Sequence, residues 1–180
     1  MIKQTLCILF LLTSFIAAQN RGNYTVNGLG KRKQEILSNG GGIWDISIAM
    51  LETENLGTDY KYGDGKTYDS ANFGIFKQNW FMLRTSVNKF KQYTKDDYNN
   101  GAVLNRHLRQ DIKARQASQK YYGADKWFGG HRNGETGLKN PYTSDINDYK
   151  NGVNWIHDQL ARDPKYLRDD TRFWIDVTPI

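Results

Sequence analysis

Residues 43–54 form an apolar run that ends in two glutamates, Glu52 and Glu54. The run carries apolar side chains on nearly every side of a helix drawn through it, at Ile43, Trp44, Ile46, Ile48, Ala49, Met50 and Leu51. A helix that is apolar all round is buried inside a protein. The sequence therefore predicts a buried central helix from Ile43 to Glu54 that presents a carboxyl group at its end.

The rest of the chain predicts a single α+β domain with a mostly helical body. Helical spacing and capping signals predict four further helices, at residues 31–38, 76–87, 99–121 and 145–162. Segment 58–72 is rich in Gly, Asp and Tyr, which predicts a turn-rich lobe with two or three short strands. Segment 123–141 predicts a long loop. The tail at 173–177 is either a strand or a packed extension.

Residues 1–18 predict a secretory signal peptide, because a short basic start precedes an apolar run that ends in Ala17-Ala18. The run is too short for a membrane anchor. Cleavage would leave one domain at 19–180 without Cys7, the only cysteine, and hence without disulfides. The single Asn-x-Ser/Thr sequon lies at Asn23 and predicts a surface glycan. We therefore expect a secreted, extracellular protein with no membrane contact after cleavage.

The charge pattern disfavours nucleic acid as a partner. The net charge is +6, but Lys and Arg are scattered among acidic residues, and Lys31-Arg32-Lys33 is the only basic triplet. Nucleic-acid binding needs a basic patch interleaved with aromatics. A metal site needs clustered ligands, whereas the three histidines are far apart in sequence. We expect a monomer that needs no cofactor or metal and acts on a neutral polymer.

Glu52 is the first candidate for acid catalysis. Apolar neighbours on the preceding turn are expected to desolvate its carboxyl group and raise its pKa, which would let it donate a proton near neutral pH. Glu54 faces another way and is expected to be solvated or salt-bridged. A glycosidase needs a second carboxylate, and sequence spacing leaves Asp59, Asp64 and Asp69 open.

The chain resembles the lysozyme superfamily, and within it glycoside hydrolase family 134, the secreted lysozyme-like β-1,4-mannanases. The segments that carry this resemblance are 49–53 (AMLET), 62–67 (YGDGKT), 71–80 (ANFGIFKQNW) and 129–134 (GGHRNG). The resemblance implies a helical body with a small β-lobe beside a substrate cleft. It also implies an inverting endo-β-1,4-mannanase with Glu52 as general acid and Asp64 as general base.

Asn72 agrees with inversion, because animal lysozymes hold a carboxylate at the position that it occupies. An amide cannot act as a nucleophile or an ion-pair stabiliser, so attack would come from a water activated further away. Polar groups and aromatics around the lobe and the predicted loop are candidate substrate-binding residues: Asn72, Gln78, Tyr60, Tyr62, Lys66, Trp80, Trp127 and His131. Each aromatic could instead pack in the core.

Three alternatives remain open at this point. The first is a lysozyme- or chitosanase-type hydrolase of amino-sugar polymers, because a fold does not fix its substrate. The second is a lytic transglycosylase that uses Glu52 alone. The third is a secreted carbohydrate-binding protein without activity.

Overall fold

The computed structural model describes residues 19–177, and the predicted signal peptide at 1–18 lies outside them. The described part is a mostly helical α+β protein, as predicted. Its helices are α1 (Leu29–Ser38), α2 (Ile43–Glu52), α3 (Trp80–Ser86), α4 (Val103–Arg106), α5 (Leu108–Tyr122), α6 (Ala124–Lys139) and α7 (Ser144–Ala161). Its strands are β1 (Arg21–Thr25), β2 (Asn72–Phe73), β3 (Gln78–Asn79) and β4 (Thr171–Ile175).

The predicted central helix is confirmed. Residues 45–50 of α2 are buried, and the helix packs along α7 and against β4. It ends at Glu52 rather than Glu54, because Thr53 adopts an extended backbone and its hydroxyl bonds the carbonyl of Ala49 at 3.1 Å. The carboxyl of Glu52 therefore lies where the core helix meets the surface.

Two small antiparallel sheets complete the fold. β1 pairs with β4, with Arg21 opposite Ile175 and Thr25 opposite Thr171, so the tail at 173–177 begins within a strand. β2 and β3, each two residues long, form a hairpin in which Asn72 pairs with Asn79. No helix in residues 19–177 is long and apolar enough to cross a membrane.

The predicted loop at 123–141 is wrong, because this segment is helix α6. The helix breaks at Asn133 and Gly134 (φ 57°) and folds back on itself. The return brings Gly137 against Gly129 so closely that a Cβ on either would lie within 2.3 Å of the other's carbonyl oxygen. The glycines that suggested a loop are those that permit this close approach.

Three other predicted elements also differ. Segment 58–72 contains two 3₁₀ turns, Tyr62–Gly65 and Tyr68–Ser70, and reaches a strand only at its last residue. The helix expected from residue 76 starts at Trp80, after a tight turn. The helix expected at 99–121 is divided at His107, whose backbone leaves the helical region at φ −130°.

Candidate active site

One cavity of about 860 Å³ brings together both predicted catalytic residues, Glu52 and Asp64, and some of the predicted substrate-binding residues. The end of α2, the turn-rich lobe and the reversal of α6 contribute most of its lining. The end of α2 contributes Leu51 and Glu52, and the reversal of α6 contributes residues 131–136. The lobe and the segment after it contribute Asp64, Lys66, Asp69, Ser70, Asn72 and Lys77. Tyr149 of α7 and the apolar side chains of Ile175 and Val177 also line it.

Arg172 of β4 fixes the end of α2 that carries Glu52. Its buried guanidinium donates to the carbonyls of Met50 at 2.7 Å, Thr53 at 3.3 Å and Glu54 at 2.9 Å. These carbonyls belong to the helix end, where backbone acceptors have no intrahelical partner. Glu54 itself is exposed and ion-paired with Arg172 at 3.4 Å, as predicted for a salt-bridged residue.

The carboxyl group of Glu52 is held by two neighbours through the same oxygen. Its Oε1 accepts a hydrogen bond from the Tyr149 hydroxyl at 2.5 Å and lies 3.0 Å from Nε2 of His131. The imidazole of His131 lies flat on the indole of Trp127, with ring centroids 4.9 Å apart. Trp127 thus orients the histidine that orients the acid.

The expected rise in the pKa of Glu52 is not found. Burial is the largest single effect and does raise the pKa. The opposing effects together lower the pKa below its ordinary value, and they come from the hydrogen bond and charge of His131, the hydrogen bond of Tyr149 and the charge of Lys77. Burial also raises the pKa of Tyr149 well above its ordinary value, so Tyr149 stays a neutral donor. The sequence identified the apolar surroundings but missed these partners.

Asp64 reaches the cavity because of the turn that carries it. Gly63, Asp64 and Gly65 all have positive φ, at 59°, 60° and 73°, a backbone region that aspartate tolerates better than most residues. The carboxylate is then held on both sides, by Lys77 Nζ at 3.0 Å on Oδ1 and by the Asn72 amide at 3.2 Å on Oδ2.

The other two candidate carboxylates have different surroundings. Asp69 also lines the cavity, but Arg84 binds both of its oxygens, at 2.6 and 2.7 Å. A bidentate pair of this kind occupies the carboxylate. Asp59 is exposed, accepts a hydrogen bond from Asn55 at 3.0 Å and does not line the cavity. Asp64 is therefore the candidate whose position best suits chemistry with Glu52.

The segment from Asn72 to Asn79 is anchored by a buried acid, Asp111. Its oxygens accept hydrogen bonds from the backbone N–H of Ile75 at 2.7 Å and from the Gln78 amide at 2.6 Å. Gly74 (φ 76°) passes so close that a Cβ there would lie 2.0 Å from Asp111 Oδ1. Gln78 is thus a buried amide that ties this segment to α5 and does not line the cavity, and its role in substrate binding stays a prediction.

The other predicted substrate-binding residues separate into three groups. Asn72, Lys66 and His131 line the cavity. Tyr60 and Tyr62 do not: Tyr60 bonds the Gly74 carbonyl at 2.6 Å, and Tyr62 bonds Asn99 at 2.8 Å. Trp80 and Trp127 are fully buried, so the prediction that they stack on sugar is wrong. Asn23 is exposed on β1, and its glycan stays a prediction.

Sequence reasoning missed Lys77 and Tyr149. Lys77 lies between Phe76 and Gln78 in the sequence and gave no signal of its own. Tyr149 did offer one, because its hydroxyl interrupts an apolar stripe on α7 that otherwise contains Ile146, Val153 and Ile156. A buried tyrosine usually finds a hydrogen-bond partner.

Two carboxylates that share a cavity with amide and cationic side chains form the kind of site that hydrolyses glycosidic bonds. Among residues 19–177, no three His, Cys, Asp or Glu side chains are grouped as metal ligands would be. The sequence model of glycosyl hydrolase family 134 matches residues 30–177, so the chain belongs to this family of glycoside hydrolases. No curated protein sequence matches the chain.

Proposed function

We propose that this glycoside hydrolase is a secreted endo-β-1,4-mannanase that inverts the anomeric centre. Glu52 is the general acid and Asp64 the general base. The observation that carries the proposal is the shared cavity, in which Lys77 binds Asp64 and also acts electrostatically on Glu52. We also propose a lysozyme-like arrangement, in which the mannan chain lies between the helical body and the turn-rich lobe.

The hydrogen bonds to Glu52 indicate which of its oxygens gives the proton. Oε1 accepts from Tyr149 and faces His131, so the transferable proton belongs on Oε2. The free enzyme favours the ionised carboxyl, and a bound sugar must therefore raise its pKa. Glu52 keeps 16% of its side chain exposed. A sugar that removes this water disfavours the charged form and prepares the acid.

Asp64 takes a proton from the attacking water in this mechanism. Lys77 and Asn72 hold its carboxylate in one orientation, which fixes the direction from which water is activated. An inverting enzyme needs room for that water between its two carboxyls. Asn72 cannot form a covalent glycosyl intermediate, which also favours direct attack by water.

A neutral polysaccharide suits the cavity. Its volume lies at the upper end of the roughly 300–1,000 Å³ that small-ligand sites occupy, which leaves room for several sugar rings. Three of the carboxylates that line it are paired with cations, Asp64 with Lys77, Asp69 with Arg84 and Glu135 with Lys139. Leu51, Ile175 and Val177 supply an apolar surface for the C–H faces of sugars. Family membership favours mannan over amino-sugar polymers.

The substrate is tested by incubating the protein with linear β-1,4-mannan, chitosan and peptidoglycan and measuring new reducing ends. We expect internal cleavage of mannan. Activity only on chitosan or peptidoglycan would contradict the mannanase proposal and support the amino-sugar alternative. Binding of mannan without cleavage would support a non-catalytic protein.

The catalytic roles are tested by isosteric amides. Glu52→Gln and Asp64→Asn should each lower kcat on mannan about a hundredfold or more, since each removes a proton-transfer group. Asp59→Asn is the matched control outside the cavity and should leave kcat unchanged. Full activity of Asp64→Asn would refute the base assignment and point to the transglycosylase alternative.

A further inference from the structure

A second depression lies at the opposite end of α2 from Glu52. Its volume is about 510 Å³, and its lining comes from the start of α2 and from α5, α6 and α7. A helix rises about 1.5 Å per residue, so Ile43 and Glu52 are about 14 Å apart along α2. The depression shares no lining residue with the catalytic cavity, so it is a separate feature of the surface.

An exposed tryptophan forms one side of this depression. Trp44 is 41% exposed, although the six residues that follow it in α2 are buried. The ring of His157 stacks on the indole with centroids 4.6 Å apart and planes 28° apart. This contact fixes the orientation of the ring while a large part of it stays accessible. A fixed, accessible indole is an apolar surface suited to the C–H face of a sugar ring.

The charges in the depression are already paired within the protein. Asp45 and Arg115 form an ion pair at 2.7 Å, with both side chains buried, and Lys150 pairs with Asp125. Since each charged group of the lining has an opposite partner, the depression offers little attraction to an ionic ligand. A neutral ligand complements it best.

Three planar amides, Gln116, Gln119 and Asn154, surround the same space. Gln116 donates to the Gly40 carbonyl at 3.1 Å and to Asp45 at 3.2 Å, which leaves its oxygen as an acceptor, and the Gln119 oxygen accepts from Arg115 at 2.6 Å, which leaves its nitrogen as a donor. A primary amide has two donor and two acceptor positions. These bonds therefore orient the glutamines and leave capacity for hydroxyl groups.

Gly42 keeps the floor of the depression open. Its backbone is extended (φ −129°), a conformation that any residue can adopt, and a Cβ built on it would meet nothing within 4 Å. Neither backbone conformation nor packing requires glycine here. Its effect is to leave space beside Trp44.

We propose that the depression formed by Trp44, Gly42, Gln116, Gln119 and Asn154 is a second, non-catalytic binding site for a neutral polysaccharide. The identity of its sugar rests on the proposed function, so we expect β-1,4-mannan. A chain held here keeps the enzyme on the polymer between cleavage events, which raises the effective concentration of substrate at the catalytic cavity.

The test is a titration of ¹⁵N-labelled Glu52→Gln protein, which should cleave its ligand at least about a hundredfold more slowly than the unchanged enzyme, with linear β-1,4-mannohexaose. The indole N–H signal of Trp44, assigned by its loss in Trp44→Ala, should shift and saturate. Adding Asn154→Ala should raise the dissociation constant read from this signal about fivefold, which corresponds to the loss of one hydrogen bond. Tyr142→Ala, which removes an aromatic that is 66% exposed outside both cavities, should change nothing.

The outcomes separate the second site from the proposed function. If the Trp127 indole, which stacks on His131 of the catalytic cavity, responds and Trp44 does not, the second site is refuted and the catalytic proposal stands. If Trp44 responds but the unchanged enzyme cleaves no mannan, only the proposed activity fails. An equal loss of affinity in Tyr142→Ala would refute a specific site, because it would mean general adhesion to aromatics.

Discussion

Replacing Gly74 with alanine would disturb the contact that anchors the lobe to the helical body. The new Cβ would lie 2.0 Å from Oδ1 of Asp111, a side chain with no exposed surface. Asp111 also holds Ile75 and Gln78, so it cannot move without straining those bonds. The substitution therefore tests whether this buried carboxyl holds the segment that supports the site.

The expected cost has two parts. A Cβ at positive φ costs about 1–2 kcal/mol, and Gly28→Ala provides a control for it, since Gly28 has φ 83° and open space around it. At Gly74 the steric overlap adds about 1–3 kcal/mol, and a broken hydrogen bond to the protonated Asp111 carboxyl adds about 0.5–1.5 kcal/mol. We expect a loss of about 2.5–6.5 kcal/mol for Gly74→Ala and about 1–2 kcal/mol for Gly28→Ala.

Urea unfolding followed by fluorescence measures both variants against the unchanged protein. If Gly74→Ala proves too unstable to purify, the same substitution is compared with its parent in a chain carrying Asp111→Ala, where the overlapping carboxyl is absent and the added loss should fall toward that of Gly28→Ala. Equal losses for Gly74→Ala and Gly28→Ala would refute the reasoning, because the Asp111 contact would then contribute nothing.

Three further predictions follow from buried polar contacts. Tyr149→Phe removes a hydrogen bond that favours the charged form of Glu52, so the pKa of Glu52 should rise. The alkaline limb of the kcat–pH profile should then move up by about 1–2 pH units. An unmoved limb would argue against Glu52 as the acid. Burial raises the pKa of Asp111 from 3.8 to about 8. Between these two pH values the folded chain binds a proton that the unfolded chain has lost, so the free energy of unfolding falls as the pH rises from about 4 to about 8. Asp111→Asn should remove that slope from urea unfolding measured between pH 5 and 8. Arg172→Met should lower the free energy of unfolding by about 2–4 kcal/mol, because three backbone carbonyls lose their donor, and a loss below 1 kcal/mol would contradict its role at the end of α2.

The helices with strong periodicity could be predicted from sequence, and the glycine-rich segment could not. The apolar pattern of α2 and the spacing in α7 are local signals, and both helices formed where expected. In α6, Gly129 and Gly137 are read locally as loop residues. Their real role is a close approach between two parts of the same helix, which depends on tertiary structure and leaves no local pattern.

The two carboxylates of the candidate site could be predicted from sequence, and the roles of the surrounding aromatics could not. The resemblance pointed to Glu52 and Asp64, and the structure places both in one cavity. The roles of the aromatics could not be predicted, since Trp80 and Trp127 are as compatible with a core as with a sugar surface. The sign of the shift in the pKa of Glu52 was also out of reach, because it depends on distant residues, His131 and Tyr149, that fold onto the end of α2.

The measurement that tests the central claim most directly is the anomeric configuration of the first product. Linear β-1,4-mannan is digested in an NMR tube, and the new reducing ends are observed before they mutarotate. A water activated by Asp64 and a leaving oxygen protonated by Glu52 predict reducing ends that appear first as α and later mutarotate to a mixture of the α and β forms. Products that appear first as β would contradict direct attack by water and with it the paired roles of the two carboxylates.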